Sequence, residues 1–402
     1  MKPRNKNMLF LMLYALCLGA IIGLIIWSFM KLVNLGTELL WLTLPNIIKI
    51  PFYTILVCTV GGLIIGIWKK KTGDYPEDME DVINKAKQDG RYPYNKTGVI
   101  CISTLLPLVF GASVGPESGL IGIIVGLCSW LNDKLKHFFK EIKELTKIGI
   151  SATLGTIFNS PMFGFALPLE TEDNEISIPK TSKILLYFTS IFGALGIAMI
   201  LKNIFGGNTG LANLDGLEYS ITEWMYLLPL SLVGVIFGIL YSFFNKLTNK
   251  LSEKIGDYTI IKCTLAGIIL GIAGSILPFV MFSGEEQMGE VISNYGEMGI
   301  LMLLLTGIVK LFITNLCNSF GLKGGHFFPC IFSGICLGYA FALITGINPV
   351  FSVCAVTTSL MAYLIKKPFA VVLLLMICFP VQAIPVMLIA SVIGSFKGDK
   401  NV

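Results

Sequence analysis

Charged residues are scarce in this 402-residue sequence: only 14% are Asp, Glu, Lys or Arg, whereas 54% are hydrophobic. A soluble domain carries about 25% charged residues, so this chain lacks the polar side chains that would cover a water-facing surface. Apolar runs bounded by charge recur along the whole length, which excludes a soluble domain with one membrane anchor. We therefore predict an all-α polytopic membrane protein with about ten or more membrane segments and no soluble domain.

Histidine is also scarce, and cysteines paired in metal-binding motifs are lacking. The two histidines are His137 and His326, and the ten cysteines include no CxxC pair. We therefore expect no zinc site and no cofactor, and the absence of a paired catalytic constellation argues against a membrane enzyme. The net charge of +5 is spread over the loops, so we expect no nucleic-acid partner.

The chain begins with three cations, Lys2, Arg4 and Lys6, ahead of its first apolar run. Positive loops stay on the cytoplasmic side, so we expect a cytoplasmic N-terminus in the cell membrane. The first run, from Met8 to about Met30, is too long for a signal-peptide core and has no small-residue cleavage site. We interpret it as a retained membrane helix.

Several apolar segments are shorter than the 17 residues that an upright helix needs to cross the hydrocarbon. The segments lie at about 8–34, 48–68, 98–111, 117–131, 148–169, 183–205, 223–244, 262–282, 298–316, 327–346, 350–365 and 369–396. Glycine and proline interrupt many of them. Non-helical backbone at membrane depth is tolerated where it is packed in protein or lines a wet cavity, so broken and re-entrant helices point to a transport pathway.

A weak internal repeat divides the chain. Pro116 and Pro329 are 213 positions apart, and Pro161 and Pro368, at the start of two further apolar segments, are 207 apart. Matching interrupted segments in two halves indicate a transporter-type repeat with its site between the halves. We predict an inverted repeat with residues 1–210 and 211–402 as its two membrane halves.

Residues 111–119 have features suited to anion handling. Gly115 permits a close backbone approach, Pro116 suits the first turn of a helix, and the helical pattern continues to about residue 131. N–H groups and the positive dipole end at a helix N-terminus attract a small anion. Glu117 lies in the same turn, where its carboxylate either caps its own helix or acts as a titratable gate.

Residues 323–329 present the same features in the second half. Gly325 supplies flexible backbone before a helix start, and two helix N-termini aimed at one point would bind an anion without a buried full positive charge. His326 is either a pH-dependent donor or a packed histidine. Phe327 and Phe328 open the helix and either lie beside the anion, or face lipid and pack in the core.

Four motifs, in order, resemble those of the CLC chloride channel and transporter family. Residues 114–117 (Val-Gly-Pro-Glu) resemble its gating-glutamate segment, and 158–161 (Phe-Asn-Ser-Pro) resemble Phe-Asn-Ala-Pro. Residues 324–329 resemble Gly-Gly-Ile-Phe-Ala-Pro, and residues 365–368 resemble Ile-Arg-Ala-Pro. Residues 72–77 resemble Gly-Ser-Gly-Ile-Pro-Glu more weakly. The resemblance implies an all-helical homodimer in a lipid bilayer, with an anion pathway in each subunit and chloride as the default ion.

This sequence departs from the family motifs at mechanistically important places. The family's gating glutamate falls on Val114, and the nearest carboxylate, Glu117, lies three residues later. Its anion-contacting serine falls on Gly73. The first of its paired glutamates falls on Glu170, and the second, the internal proton-transfer residue of the exchangers, falls on Thr171. We also expect this protein to lack the helix that carries the family's coordinating tyrosine, and to have no nucleotide-binding CBS domains.

These departures leave open a channel-like or uncoupled pathway, an exchanger of anions for protons, and a fluoride/proton antiporter. Thr171 and Val114 favour weak proton coupling. The candidate gate residues are Glu117 and Val114, and the candidate internal proton positions are Thr171 and Glu170. The candidate anion-binding residues are Gly73, Ser113, Gly115, Pro116, Gly325, His326, Phe327 and Phe328.

Overall fold

The computed structural model describes residues 3–88, 91–135, 142–170, 180–206, 213–217 and 220–396. Helices form most of these ranges, and no strand occurs within them. The helices are α1 Pro3–Glu38, α2 Leu44–Ile47, α3 Tyr53–Thr72, α4 Met79–Gln88, α5 Thr97–Val109, α6 Glu117–Leu135, α7 Ile142–Ile157, α8 Pro161–Glu170, α9 Lys180–Phe205, α10 Ile221–Ile255, α11 Thr259–Ile276, α12 Met288–Ser319, α13 Phe327–Thr345, α14 Pro349–Ile365, α15 Pro368–Leu375 and α16 Ile384–Ser395.

Membrane-spanning potential is distributed along the chain. Among the described residues, seven helical segments are long and apolar enough to cross a membrane, and three more apolar helical stretches are shorter. The long segments are Leu11–Ile47, Tyr53–Thr72, Ile184–Phe205, Ile221–Ile255, Thr259–Ile276, Met288–Ser319 and Phe327–Thr345. The prediction of an all-α polytopic membrane protein is confirmed.

Prolines begin the short helices, as the interrupted apolar segments indicated. Helix α8 starts at Pro161 and has 10 residues, and α15 starts at Pro368 and has 8 residues. The apolar stretch 369–396, written above as one segment, is divided between α15 and α16 by a 3-10 turn at Val381–Ala383. Proline lacks the N–H that would continue a helix, so each break coincides with one.

The chain forms two compact units. Unit 1 comprises Met1–Leu35, Pro76–Leu105 and Pro116–Gly210, and unit 2 comprises Gly36–Tyr75, Leu106–Gly115 and Leu211–Val402. The inverted relation of residues 1–210 and 211–402 stays a prediction.

Small residues let helices approach closely within unit 1. A Cβ added at Gly19 or Gly23 of α1 would lie 2.0 or 2.1 Å from the backbone oxygen of Ser190 or Ala194 of α9. No side chain fits in that space. Small residues four positions apart are typical of tightly packed membrane helices, because they allow backbone-to-backbone contact.

In unit 2, glycines allow the same close backbone contact between α3 and α11. Gly62 of α3 lies against the backbone of Cys263, and Gly267 of α11 lies against the backbone of Cys58, each with room for no Cβ. Helices α13 and α14 form the centre of this unit, since nearly all their side chains are buried. This packed core holds the loop that precedes α13 and the segment that precedes α6.

Candidate functional site

Helices α5 and α12 end with the same backbone arrangement, 210 positions apart. Gly111 and Gly321 both have positive φ, +80° and +101°, at the end of these helices. Ala112 N–H donates to Pro107 O, and Leu322 N–H donates to Cys317 O. Together with the positive-φ glycine, these bonds are those of a Schellman motif, which satisfies the last carbonyls of a helix and turns the chain away.

Each turn leads to a glycine two residues before the next helix. Gly115 N–H donates to Gly325 O at 2.7 Å, and Gly325 N–H donates to Gly115 O at 2.7 Å. This reciprocal pair is an isolated antiparallel bridge. It joins the glycine two residues before α6 to the glycine two residues before α13. The glycine pair thus brings together the two segments that the sequence analysis selected.

The bridge determines which backbone N–H groups near the two glycines can contact an anion. Each glycine N–H donates to the carbonyl oxygen of the other glycine, so donors for an anion would have to come from the turns that follow. Intrahelical bonding in α13 begins with Cys330 N–H donating to His326 O. Phe327 and Phe328 therefore lie in the turn at the positive end of the α13 dipole.

Side chains fix both strands of the bridge. The Ser113 hydroxyl is 3.1 Å from the Thr314 hydroxyl of α12, and both residues are fully buried. Asn318 Oδ1 accepts a hydrogen bond from Gly324 N–H at 2.9 Å. A Cβ at Gly324 would lie 2.6 Å from Val114 Cγ2, so only glycine allows the two strands to approach this closely.

Helix α10 supplies a second set of polar contacts to the end of α12. Ser252 donates to the Ser319 backbone oxygen at 2.8 Å, and the Thr248 hydroxyl is 2.9 Å from the Ser319 hydroxyl. Ser319 in turn donates to Asn249 Oδ1 at 2.6 Å. These bonds hold the start of the loop that carries Gly324 and Gly325.

Lys310 of α12 is a fully buried cation one turn before Thr314. Its Nζ donates to the backbone oxygens of Phe279, Met281 and Phe282 at 2.9, 3.0 and 3.1 Å. Three acceptors match the three hydrogens of an ammonium group. Phe282 N–H donates to Gly111 O at 3.0 Å, so Lys310 also secures the turn before the glycine pair.

A cluster of opposite charges lies beside the second strand of the bridge. Asp74 accepts from Lys69 Nζ through Oδ1 and from Lys323 Nζ through Oδ2, each at 2.6 Å. Partial burial opposes ionisation of Asp74, but the two ammonium groups outweigh it and hold its pKa below the ordinary value. Asp74 is therefore a carboxylate at neutral pH.

The other candidate residues have the following placements. Gly73 caps α3 with φ +103°, and its N–H donates to Lys69 O. Val114 is fully buried, and Glu117 is the first residue of α6 and only 2% exposed. Pro116 O accepts from Leu120 N–H.

His326 is the N-cap of α13. The His326 ring lies 5.9 Å from the ring of Tyr241 and 5.0 Å from that of Phe327, measured between centroids. Glu170 is the last residue of α8, and Thr171 lies outside the described residues. Within the described ranges, no three His, Cys, Asp and Glu side chains gather where they could hold a metal.

The sequence profile of a protein family described as voltage gated chloride channel matches residues 57–398. The chain belongs to this family. Its members are transporters and channels, not enzymes, so this protein is a multi-pass membrane protein of an anion-transport family.

Curated relatives include YfeO, provisionally named an ion-transport protein, from Escherichia coli O7:K1 strain IAI39. It is 24% identical over 344 residues, which cover 84% of this chain and 80% of YfeO. YfeO from Escherichia fergusonii is also 24% identical over 344 residues, with the same shares of each chain.

Solved structures share the fold. A CLC-type fluoride/proton antiporter matches with a TM-score of 0.76 and 19% identity, over 96% of this chain and 94% of that chain. A slow cyanobacterial chloride/proton antiporter matches with a TM-score of 0.78 and 19% identity, over 96% and 93%. A eukaryotic CLC transporter matches with a TM-score of 0.71 and 14% identity, over 97% and 71%. The predicted CLC-like fold is confirmed.

Proposed function

We propose that this protein moves small inorganic anions of the chloride type through a pathway in each subunit of a homodimer. The anion is held at the N-terminal turns that follow Gly115 and Gly325, and proton coupling is weak or absent. The reciprocal hydrogen bonds of the glycine pair carry this proposal, because they place the residues ahead of two helices in contact. Backbone N–H groups at helix starts hold an anion without a buried counter-cation.

Two positions at which this sequence differs from the family motifs favour weak coupling between anion and proton movement. Thr171 stands where the exchangers have their internal proton-transfer glutamate, and a threonine does not titrate near neutral pH. Val114 stands at the usual gate, where a valine can carry no proton. Glu117 is the remaining carboxylate close to Gly115 along the chain, and we assign it the pH-sensitive part of the mechanism.

A proton-coupled exchanger is the second candidate function. The similar folds include a fluoride/proton antiporter and a chloride/proton antiporter, each over 96% of this chain. In this alternative Glu117 accepts the proton, and the Gly73 position, which lacks a hydroxyl, favours a fluoride-transporting branch.

We further infer that the protein lies in the lipid bilayer of the cell membrane with its N-terminus in the cytoplasm. Lys2, Arg4 and Lys6 precede the first membrane helix, and positive residues flank membrane segments on the cytoplasmic side. Protection of an N-terminal tag in sealed cells, with its accessibility after lysis, tests this orientation.

Anion efflux from liposomes that hold the purified protein separates the candidates. Chloride and, separately, fluoride are loaded inside, and the external pH is recorded with the anion. We expect efflux that dissipates the anion gradient without stoichiometric proton movement. Uphill proton movement would establish the exchanger instead, and a strong preference for fluoride would assign the fluoride-transporting branch. No efflux of either ion would overturn the proposal.

Replacing Glu117 with glutamine is expected to flatten the pH dependence of anion efflux, because the amide keeps the shape of the side chain and cannot ionise. The measurement is the efflux rate of Glu117→Gln across a pH series. Glu290→Gln is the matched control, since it makes the same change at an exposed position of α12. An unchanged rate and pH profile in Glu117→Gln would remove Glu117 from the mechanism and leave an ungated passage at Val114.

A further inference from the structure

The cluster of Lys69, Asp74 and Lys323 combines protected cations with an accessible anion. The side chain of Lys69 is 2% exposed and that of Lys323 is 25% exposed, whereas that of Asp74 is 67% exposed. Each carboxylate oxygen of Asp74 contacts one ammonium nitrogen at 2.6 Å. The cluster thus carries a net charge of +1, with its negative member turned toward solvent.

The backbone builds this arrangement from two chain segments. Lys69 lies in the last turn of α3, where the negative dipole end stabilises a cation. Gly321 lies beside this lysine: a Cβ added there would be in ordinary contact with Lys69 Nζ, at 3.7 Å, and would clash with Cys263 Sγ, at 2.7 Å. Lys323 follows two residues later in the same loop, and Gly325 of the glycine pair follows after two more. The cluster therefore borders the proposed anion site along the chain.

The three side chains of the cluster differ in how readily they can move away from it. An ammonium group that is buried loses its hydration, so an anion beside Lys69 stabilises its charged form. Asp74 is mostly exposed, so water can solvate its carboxylate when it swings away. Burial thus keeps Lys69 in place, whereas the carboxylate between the two lysines can be exchanged for another anion.

We propose, given the anion transport assigned above, that Lys69 and Lys323 form a capture site for a small inorganic anion, which Asp74 fills as a tethered competitor. An arriving anion displaces the carboxylate and is then held beside the loop that leads to Gly325. When the anion leaves, Asp74 returns and neutralises the buried lysine. The carboxylate thereby limits how tightly the site retains its ion.

Replacing Asp74 with asparagine tests the capture site, because the amide removes the competing charge and keeps the side-chain size. We expect the dissociation constant for chloride, measured by titration calorimetry on the purified protein, to fall roughly tenfold. The chloride concentration that gives half-maximal efflux should fall in parallel. Asp74→Ser serves as a second variant without the charge, and melting in detergent verifies that both are folded.

Asp257→Asn is the matched control, since Asp257 is exposed in the turn before α11, whose Ile260 contacts Gly66 of α3. It changes the charge near the same helix ends without touching the cluster, and chloride binding should stay at the wild-type value. Adding Lys323→Gln to Asp74→Asn should reverse the gain, because one of the two cations is then lost.

The outcomes separate this site from the transport proposal. If Asp74→Asn and Asp74→Ser bind chloride with wild-type affinity and efflux is intact, the cluster is only a structural set of ion pairs. That result would overturn the capture site and leave the transport proposal standing. Tighter chloride binding in Asp74→Asn, reversed by Lys323→Gln, supports the capture site even if the wild-type protein shows no efflux.

Discussion

Alanine in place of Gly324 is expected to reduce anion efflux by about tenfold or more. The added Cβ would lie 2.6 Å from Val114 Cγ2, 2.7 Å from Val114 Cβ and 2.8 Å from Gly115 O. The last of these atoms is backbone, so the contact is relieved only if the two strands of the bridge separate. Overpacking of this kind costs about 1–3 kcal/mol, and each 1.4 kcal/mol added to a transport barrier is a factor of ten.

The measurement is the initial rate of chloride efflux from liposomes, with protein folding checked by melting in detergent. Gly296→Ala in α12 is the matched control, because no heavy atom lies within 4 Å of a Cβ added there. That variant should transport normally and melt at the same temperature or slightly higher, since alanine is the better helix former. Wild-type efflux in Gly324→Ala would show that the close approach of the two strands is not needed for transport.

Much of the helical architecture was predictable because the bilayer imposes it. Apolar runs of spanning length must be helical to satisfy their backbone, and prolines within them favour a helix start or end, although Pro107 and Pro229 lie inside α5 and α10. Pro161 and Pro368 do begin helices, which agrees with the motifs chosen from the sequence. The division of 369–396 into two helices is predictable in the same way from Pro380 and Pro385, although apolar length alone predicts one segment there.

The register of the two site segments was harder to predict. Aligning Pro116 with Pro329 gives an offset of 213, whereas the structure pairs Gly115 with Gly325 at an offset of 210. The signal that gives the right offset is the Phe-Gly dipeptide that ends each preceding helix, at 110–111 and 320–321. This dipeptide marks the end of a helix because its glycine adopts a positive φ, and composition and apolar length do not reveal that backbone property.

Charged partners were the part that sequence reasoning missed. Lys310 interrupts the apolar segment 298–316, and a lone cation at such a position signals a specific polar partner. The partner here is a set of backbone oxygens, which no residue pattern can identify. Lys69 and Lys323 are 254 positions apart and meet at Asp74 through tertiary packing alone, so their association had no local signal.

The methionine variant of Lys310 is expected to be substantially destabilised. Methionine has a similar length and no donor, so the oxygens of Phe279, Met281 and Phe282 would all lose their hydrogen bond in a buried site. Each buried carbonyl left unsatisfied costs about 1–3 kcal/mol. Removing the cation also removes its desolvation cost, but three convergent carbonyl dipoles then repel one another without a positive charge between them. We expect the melting temperature in detergent to fall by about 5 °C or more.

A graded series distinguishes hydrogen bonding from simple packing at this site. Lys310→Gln keeps two donor hydrogens without the charge and should melt between the wild type and Lys310→Met. Lys250→Met makes the same chemical change as Lys310→Met on the exposed face of α10 and should leave the melting temperature unchanged.

Since Phe282 N–H binds Gly111 O, the loss of Lys310 should also loosen the turn before the glycine pair, with faster hydrogen exchange at residues 107–115. Equal melting temperatures for the wild type and Lys310→Met would mean that water or a rearranged loop satisfies the three oxygens, and that the buried cation is not needed to hold this turn.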